Sequence, residues 1–237
     1  MPRTPTIAKE TAGEQPASGR RARRDPLTRE RIIAAALNIM DTEGLEAVTM
    51  RRIGRELGVE AMSLYNHVED KEDILAGVVE AVMGEFRFPQ DEPEDWKERG
   101  RETSREWRRL LKSHPNVITI MSEQRNPPTS LQALRPLEHA LGVLRSSGLS
   151  DEESVRAYQA FGGFIQGFVM AEVVDMFGES DPHVGSEQLE GALPIDELPN
   201  LAASLPHIYA CDFDVAFEYG VDLMIRGIEA KVAAGRG

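Results

Sequence analysis

The chain has 237 residues, of which 41% are hydrophobic, and its 27 Lys and Arg are outnumbered by 40 Asp and Glu, giving a net charge of −13. This length is enough for two modest domains with a substantial core. No apolar run is long enough to span a membrane, the amino end lacks the apolar core of a signal peptide, and the single Cys211 cannot form an internal disulfide. We therefore expect a cytoplasmic protein.

Residues 1–26 are rich in Pro, Gly, Thr, Ala and charge and show no hydrophobic periodicity, and they end in the basic run Arg20-Arg21-Ala22-Arg23-Arg24. This composition predicts a flexible, basic N-terminal arm. Helical periodicity begins with the segment Leu27 to Gly44. Thr28 is its N-cap and Gly44 its terminator, so we predict an amphipathic helix of about four turns.

The segment Thr49 to Val68 predicts two short helices joined by a tight turn. Thr49 is the N-cap, Ile53 and Leu57 share one face, and Gly58 supplies the positive φ that ends the first helix. The next helix starts almost at once, which is typical of a helix-turn-helix with its second helix presented outward. An ordinary corner between two helices has the same pattern. A further amphipathic helix opens at Asp70 to Asp73 and extends to Phe86.

Residues 27 to 86 closely resemble the TetR (tetracycline repressor) family. The resemblance is carried by the helix ending in Gly44-Leu45, by Val48 to Val59, by Ser63 to Val68 and by Lys71. It implies an all-α fold with a three-helix helix-turn-helix DNA-binding domain over residues 27–72 and a ligand-binding and dimerisation domain over 73–237. It also implies a transcriptional regulator, most simply a repressor that a small organic effector releases from its operator.

The remainder of the chain is also helical in pattern, and we see no convincing strand. Helices are predicted over Asp95–Lys112, Asn116–Met121, Thr129–Leu144, Ser150 to about Asp175, and Phe213–Val232, with a mobile acidic segment from Gly178 to Pro194. The predicted helix that starts after Ser150 contains Gly162, Gly163 and Gly167, which suggests close approach by another helix or a ligand.

The last two long helices are apolar enough to form a four-helix bundle across a two-fold axis, which is the interface that the resemblance implies. Residues 213–229 are similar to the end of tetracycline-repressor-like regulators. Both helices could instead face one intramolecular core. A homodimer would present its two recognition helices about 34–36 Å apart, which predicts a palindromic operator.

Candidate DNA contacts lie in the arm and in the helix-turn-helix. Arg51 is the best bidentate reader of guanine, and Ala61 and Met62 could touch thymine methyl groups. The resemblance adds positions that contact phosphate or base edges, although Tyr65 could pack within the domain and Lys71 could be solvated. The arm could enter a minor groove or remain a solvated tail. The predicted DNA-binding residues are Arg21, Arg23, Arg24, Thr49, Met50, Arg51, Ala61, Met62, Ser63, Tyr65, Asn66, His67 and Lys71.

The resemblance implies a ligand pocket between the carboxyl-terminal helices, and apolar and aromatic walls would suit an organic molecule. Each aromatic could equally be an ordinary core residue. Arg87 and Met121 stand where tetracycline repressors carry histidines that bind the drug and its metal, so we expect a different effector and no cofactor. The predicted ligand-binding residues are Arg87, Thr103, Trp107, Met121, Gln124, Tyr158, Phe161, Phe164, Ile165 and Phe168.

The distribution of charge agrees with a DNA-binding amino-terminal end. Residues 1–90 hold 13 basic and 15 acidic side chains, whereas residues 91–237 hold 14 basic and 25 acidic ones. Within residues 20–67 the balance is 9 basic to 7 acidic. The acidic bulk would disfavour binding to DNA through the wrong face, and binding should weaken with salt as counterions are released.

An enzyme is the main competing class, and the motifs argue against it. The five histidines show no HExxH spacing, no cysteine pair exists for zinc, and there is no Gly-x-Ser-x-Gly elbow. The glycines at 162, 163 and 167 lie in a helical pattern, so they are not a dinucleotide fingerprint. A helical ligand-binding or interaction dimer without operator-specific DNA binding remains as the alternative.

The arm generates the first testable prediction. Deleting residues 1–24 is expected to weaken operator binding and to flatten its salt dependence, because several arginines that can neutralise phosphates are removed. The affinity of the full-length and shortened proteins should be compared at two salt concentrations. Equal affinities at both would contradict the prediction.

Overall fold

The computed structural model describes residues 26–89, 93–123, 130–174, 197–208 and 212–235. Within these ranges the regular elements are all helical, which confirms the all-α prediction. None of the helices described is long and apolar enough to cross a membrane. The predictions for Arg21, Arg23, Arg24, Gln124 and the segment Gly178–Pro194 lie outside the described residues.

Ten α-helices and one 3-10 turn are described. They are α1 (Arg29–Glu43), the 3-10 turn (Leu45–Ala47), α2 (Met50–Leu57), α3 (Ala61–Leu64), α4 (Lys71–Met83), α5 (Trp96–Ser113), α6 (Asn116–Glu123), α7 (Leu131–Ser146), α8 (Asp151–Val173), α9 (Pro199–Ile208) and α10 (Phe213–Ala234).

Side-chain caps set the beginnings of several helices. The hydroxyls of Thr28 and Thr49 accept from the backbone N–H of Arg31 and Arg52, as predicted. Ser150 and Glu153 form a capping box at the start of α8, the helix predicted to begin there. Each such cap stabilises its helix by about 1 kcal/mol, because it satisfies a backbone donor that has no partner within the helix.

The turn between α2 and α3 depends on two glycines. Gly58 has φ +66°, the left-handed conformation that the sequence predicts for it. One turn earlier, Gly54 is buried where the helices meet, and an added Cβ would lie 3.0 Å from the carbonyl oxygen of Val59 and 3.2 Å from the backbone nitrogen of Ala61. The absence of a side chain at Gly54 therefore permits the close crossing.

Helix α4 packs on both parts of the protein. It contacts α1 on one side and α6 and α7 on the other. The cluster of buried residues that includes Ile32, Leu64 and Ile74 also continues into Val117 of α6 and Ala133 of α7. The domain boundary proposed between residues 72 and 73 falls in the first turn of α4, a helix that shares its core with both sides.

The corner between α5 and α6 docks polar groups onto the amino-terminal helices. The His114 ring nitrogens lie 2.8 Å from a carboxylate oxygen of Asp41 at the end of α1 and 3.2 Å from one of Glu85 just after α4. The side-chain amide of Asn116 donates to the backbone carbonyl of Met40 at 3.2 Å. These contacts fix the carboxyl-terminal helices against α1.

A second cluster joins α5, α8 and α10, and a buried ion pair lies at its edge. Arg108 bonds Glu172 of α8 and Asp214 of α10, each at 2.7 Å, and its guanidinium lies 4.8 Å from the centre of the Phe217 ring. Burial of Glu172 opposes its ionisation, but hydrogen bonds from Arg108 and Lys112 outweigh it and lower the pKa of the carboxyl. The pair therefore remains charged and links three helices.

The crossing at Gly54 generates a prediction. Gly54→Val is expected to destabilise the protein by about 1–3 kcal/mol, because its branched side chain would be forced against backbone atoms. Gly54→Ala should change stability by less than about 1 kcal/mol, since the gain in helix propensity offsets a small shift. Thermal unfolding and circular dichroism would measure both.

Gly142→Val provides the matched control, because an added Cβ at Gly142 of α7 meets nothing within 4 Å. A Gly54→Val protein as stable as this control would show that α2 and α3 do not need the close crossing.

Candidate DNA-binding surface and ligand pocket

The short helix α3 presents its side chains to solvent while remaining anchored in the core. Leu64 is fully buried and Val68 nearly so, whereas Met62 is 73% exposed and Tyr65 is 48% exposed. Asn66 and His67, in the turn that follows, are exposed as well. An anchored helix with large outward side chains is the arrangement that major-groove reading requires.

The two neighbouring arginines of α2 differ in their availability. Arg52 is held by Glu43 and Glu56 at 2.5 and 2.8 Å, and these bonds raise the pKa of its guanidinium. Arg51 is exposed, and among the described residues its side chain has no ion pair or hydrogen bond. Arg51 can therefore contact DNA without first losing an internal partner.

The other predicted contacts combine exposure with a structural role. The Thr49 hydroxyl caps α2 and is also exposed. Met50 packs partly against the core, and Ala61 and Ser63 are half-buried in α3. Lys71 is half-buried in the first turn of α4. All ten predicted contacts from Thr49 to Lys71 thus lie on or next to α2, α3 and the start of α4.

A pocket lies between α5, α6, α7, α8 and α10. The space between its walls is about 680 Å³, a volume that includes solvent at the open mouth. Six predicted residues line it, namely Thr103, Trp107, Met121, Tyr158, Phe161 and Ile165. Ten others that the sequence analysis did not select complete the lining, namely Trp96, Gly100, Ser104, Leu111, Ala140, Val143, Leu144, Gly162, Gln166 and Ile225.

The residues that α5 contributes to the pocket follow a helical periodicity in the sequence. They recur at three- and four-residue steps, which places them on one face of the helix, namely Trp96, Gly100, Thr103, Ser104, Trp107 and Leu111. Because some of them are polar, a search for apolar periodicity does not identify this face. Both tryptophans of the chain, Trp96 and Trp107, belong to this wall.

In the part of the chain that the structure describes, the pocket lining is aromatic and uncharged. Four aromatic side chains belong to it, and no described Asp, Glu, Lys or Arg does. Its polar groups are neutral hydroxyls and the Gln166 amide. Burial raises the pKa of the Tyr158 phenol, so that this group remains a protonated hydrogen-bond donor at neutral pH.

Three predicted ligand-binding residues lie outside this lining. Arg87 is exposed, and its backbone N–H donates to Glu106 at 2.7 Å. Phe164 stacks on Phe217 with ring centres 5.7 Å apart, and Phe168 packs edge-on against the same ring at 5.4 Å. The reason is helical geometry, because Phe164 and Phe168 face α10 while Phe161 and Ile165 of the same helix face the pocket.

Among the described residues, no other helix makes the predicted close approach to the three glycines of α8, where the sequence analysis also allowed a ligand. A Cβ added at Gly162, Gly163 or Gly167 would meet nothing within 4 Å. Gly162 lines the pocket, whereas Gly163 and Gly167 are exposed. Close packing of α8 instead occurs at Gly220 of α10, where the Phe164 ring occupies the space of a side chain.

Two protein families match successive parts of the chain. The family described as bacterial regulatory proteins, tetR family, matches residues 32–78, and the tetracyclin repressor-like C-terminal domain matches residues 88–232. The first match contains the helix-turn-helix, and the second contains the helices that enclose the pocket.

Individual relatives agree with this assignment. The HTH-type transcriptional repressor DrrR1 of Streptomyces coeruleorubidus is 30% identical over 236 residues, which cover 93% of this chain and 85% of the relative. Tetracycline repressor protein class E of Escherichia coli is 27% identical over 87% of this chain and 92% of its own length. The structure of ActR from Streptomyces coelicolor in complex with actinorhodin has 32% identity and a TM-score of 0.75, covering 87% of this chain and 97% of ActR.

The carboxyl-terminal family match alone covers more than half of the residues, and the likeness to DrrR1 extends over most of both chains. The chain therefore belongs to the TetR family, whose members are ligand-responsive DNA-binding transcriptional regulators and not enzymes.

Proposed function

We propose that this protein represses transcription by binding a palindromic operator as a homodimer through Thr49 to Lys71, and that a small aromatic effector in the pocket releases it. The observation that carries the proposal is α4, which packs on the helix-turn-helix and on the helices that enclose the pocket. We also propose a cytoplasmic location, where operator DNA is found in bacteria.

The DNA-binding part rests on side chains that are exposed without internal partners. Arg51 carries five N–H donors suited to guanine or phosphate, and Met62 offers a large apolar surface to thymine methyl groups. The Tyr65 hydroxyl can donate a hydrogen bond to a phosphate oxygen. The buried Leu64 and Val68, on either side of Tyr65 in the sequence, anchor this segment in the core.

The dimer part rests on an exposed apolar face on α8 and α10. Val215, Tyr219 and Leu223 follow one another at four-residue steps on α10 and are 52–67% exposed. On α8, Met170 is 40% exposed. Gly163 and Gly167 precede it by seven and three residues, and a Cβ added at either glycine would meet nothing within 4 Å. Small residues beside large apolar ones permit close packing of a partner's helices, and members of this family act as dimers.

The effector part rests on the lining of the pocket. Aromatic walls and neutral polar groups favour a flat, uncharged organic molecule over a charged one, because a buried charge would have no partner there. ActR, a relative of known structure, binds actinorhodin, which supports an organic effector. Tetracycline with magnesium is disfavoured, since the lining residues that the structure describes include neither a carboxylate nor a histidine.

The release mechanism that we propose is a displacement of α4. Trp107 lines the pocket and also packs edge-on against Phe86, with ring centres 5.4 Å apart, just beyond the end of α4. An effector that moves Trp107 or the neighbouring walls would shift Phe86 and α4 with it. The recognition helices of the dimer would then no longer fit successive major grooves.

The DNA-binding proposal is tested by selecting bound fragments from random DNA with the full-length protein and measuring operator affinity by fluorescence anisotropy. Arg51→Ala and Tyr65→Ala are each expected to weaken binding by about 1–3 kcal/mol, and Arg51→Ala should also relax base preference at one position. Thermal unfolding would show that both variants fold.

Arg145→Ala is the matched control for lost charge. Arg145 is 63% exposed and pairs with Asp151 at the start of α8, outside the proposed DNA contacts. Operator affinity should not change in this variant. Failure to enrich any sequence would favour a helical interaction dimer without operator-specific binding, and full affinity in Tyr65→Ala would remove that residue from the contacts.

The dimer face is tested by Tyr219→Arg. The variant is expected to shift the protein from dimer to monomer in light scattering and to reduce operator affinity at least tenfold. The reason is that each protomer would bury one charged side chain against the apolar residues of its partner. Leu131→Arg is the control, since Leu131 of α7 is 71% exposed and lies outside the proposed face. A Tyr219→Arg protein that remained dimeric at low concentration would place the interface elsewhere.

A further inference from the structure

Thr103 is a buried hydroxyl in the wall of the pocket with a partner behind it. Its side chain lies in the pocket lining and the residue is 8% exposed. The hydroxyl oxygen lies 3.1 Å from Nε2 of His139 on α7. The next residue, Ser104, also lines the pocket, but its hydroxyl donates to the backbone carbonyl of Gly100 at 2.8 Å.

The His139 ring in turn packs against the chain that follows α4. Its centre lies 6.1 Å from that of Phe86 and 5.5 Å from that of Phe88, with the second pair edge-on. Phe86 is 5% exposed and belongs to the core that includes α1 and α4. His139 therefore touches the pocket through Thr103 and the amino-terminal core through Phe86.

The presence or absence of a hydrogen on Nε2 of His139 determines whether the Thr103 hydroxyl donates a hydrogen bond to a ligand or accepts one from it. When Nε2 carries a hydrogen, the Thr103 oxygen accepts it, and the hydroxyl hydrogen is free to donate into the pocket. When Nε2 is bare, Thr103 donates to it, and the oxygen can accept from a ligand hydroxyl. If residue 139 offered no hydrogen-bonding atom, the Thr103 hydroxyl would donate to the backbone carbonyl four residues earlier in the helix, and the pocket would lose this polar group.

We propose that Thr103 and His139 form a hydrogen-bonding subsite of the pocket that receives an oxygen substituent, a carbonyl or a hydroxyl, on a flat uncharged aromatic effector. Thr103 binds the oxygen, and His139 positions the Thr103 hydroxyl. This inference rests on the proposed function of the pocket and adds to it the polar group that the effector must carry. It also assigns a role to His139, which the sequence analysis did not select.

The test uses two flat three-ring probes that differ by one carbonyl, fluorene and fluorenone. Equilibrium dialysis with the full-length protein gives the affinity ratio of fluorenone to fluorene, and fluorene serves as the internal reference for ring burial. Quenching of Trp96 and Trp107 fluorescence by fluorenone reports its presence in the pocket, because both tryptophans line it.

Thr103→Val keeps the shape of the side chain and removes the hydroxyl. The ratio is expected to fall about fivefold or more, which corresponds to the loss of one neutral hydrogen bond. His139→Phe keeps the ring packing against Phe86 and Phe88 and should lower the ratio in the same direction. Ser113→Ala is the control and should leave the ratio unchanged, because Ser113 is also on α5 and donates to the carbonyl four residues earlier, but lies outside the pocket lining. Fluorene affinity should be preserved in all three variants.

A ratio that is unchanged in Thr103→Val, or equally lowered in Ser113→Ala, would overturn the subsite. If neither probe binds the wild-type protein while operator binding is intact, flat aromatic ligands are excluded and the subsite with them, although the protein remains a DNA-binding regulator. If operator binding itself is absent, the proposed function fails irrespective of the probe results.

Discussion

Helix α4 is the constraint on which the remainder of the structure depends, because it belongs to one close-packed core with elements on both of its sides. Ile74, Val78 and Val82 are fully buried between α1 and the helices that follow. Close-packed interiors have few voids that could absorb a displacement locally. A change in the pocket walls that reaches Phe86 must therefore be accommodated by α4 and by the helices that α4 supports.

The local features of the fold were predictable because short-range chemistry determines them. Thr28, Thr49 and Ser150 cap helices through hydrogen bonds within one turn, and Gly58 ends α2 with a positive φ. The helix-turn-helix was predictable for the same reason, since its two helices and turn occupy one continuous segment. Most predicted boundaries agree to within one or two residues, which is the usual uncertainty at helix ends. However, α4 ends at Met83 and not at Phe86, and α9 was not predicted.

Features that depend on contacts distant in sequence were not predictable in this way. The sequence marks Phe161, Phe164 and Phe168 as equally apolar, and only the position of α10 decides that Phe164 and Phe168 pack on Phe217. His139 lies on α7 in a leucine-rich helix, and its partners Thr103 and Phe86 are 36 and 53 positions away.

Under the proposed function, the pocket must select an effector and must also convert effector binding into release from DNA. The energies of these two tasks suggest which residues perform each. Converting a bound population almost completely to a released one requires about 5.5 kcal/mol of differential affinity between the two states. A single neutral hydrogen bond contributes only about 1 kcal/mol, so Thr103 cannot supply this difference. Burial of a flat ring system against Trp96, Trp107, Tyr158 and Phe161 can supply it when the released state buries more of the ring surface than the DNA-bound state does, because each 100 Å² of apolar surface removed from water contributes about 2.5 kcal/mol. Aromatic burial would thus provide the energy for switching, and the Thr103–His139 pair would select which aromatic molecule provides it.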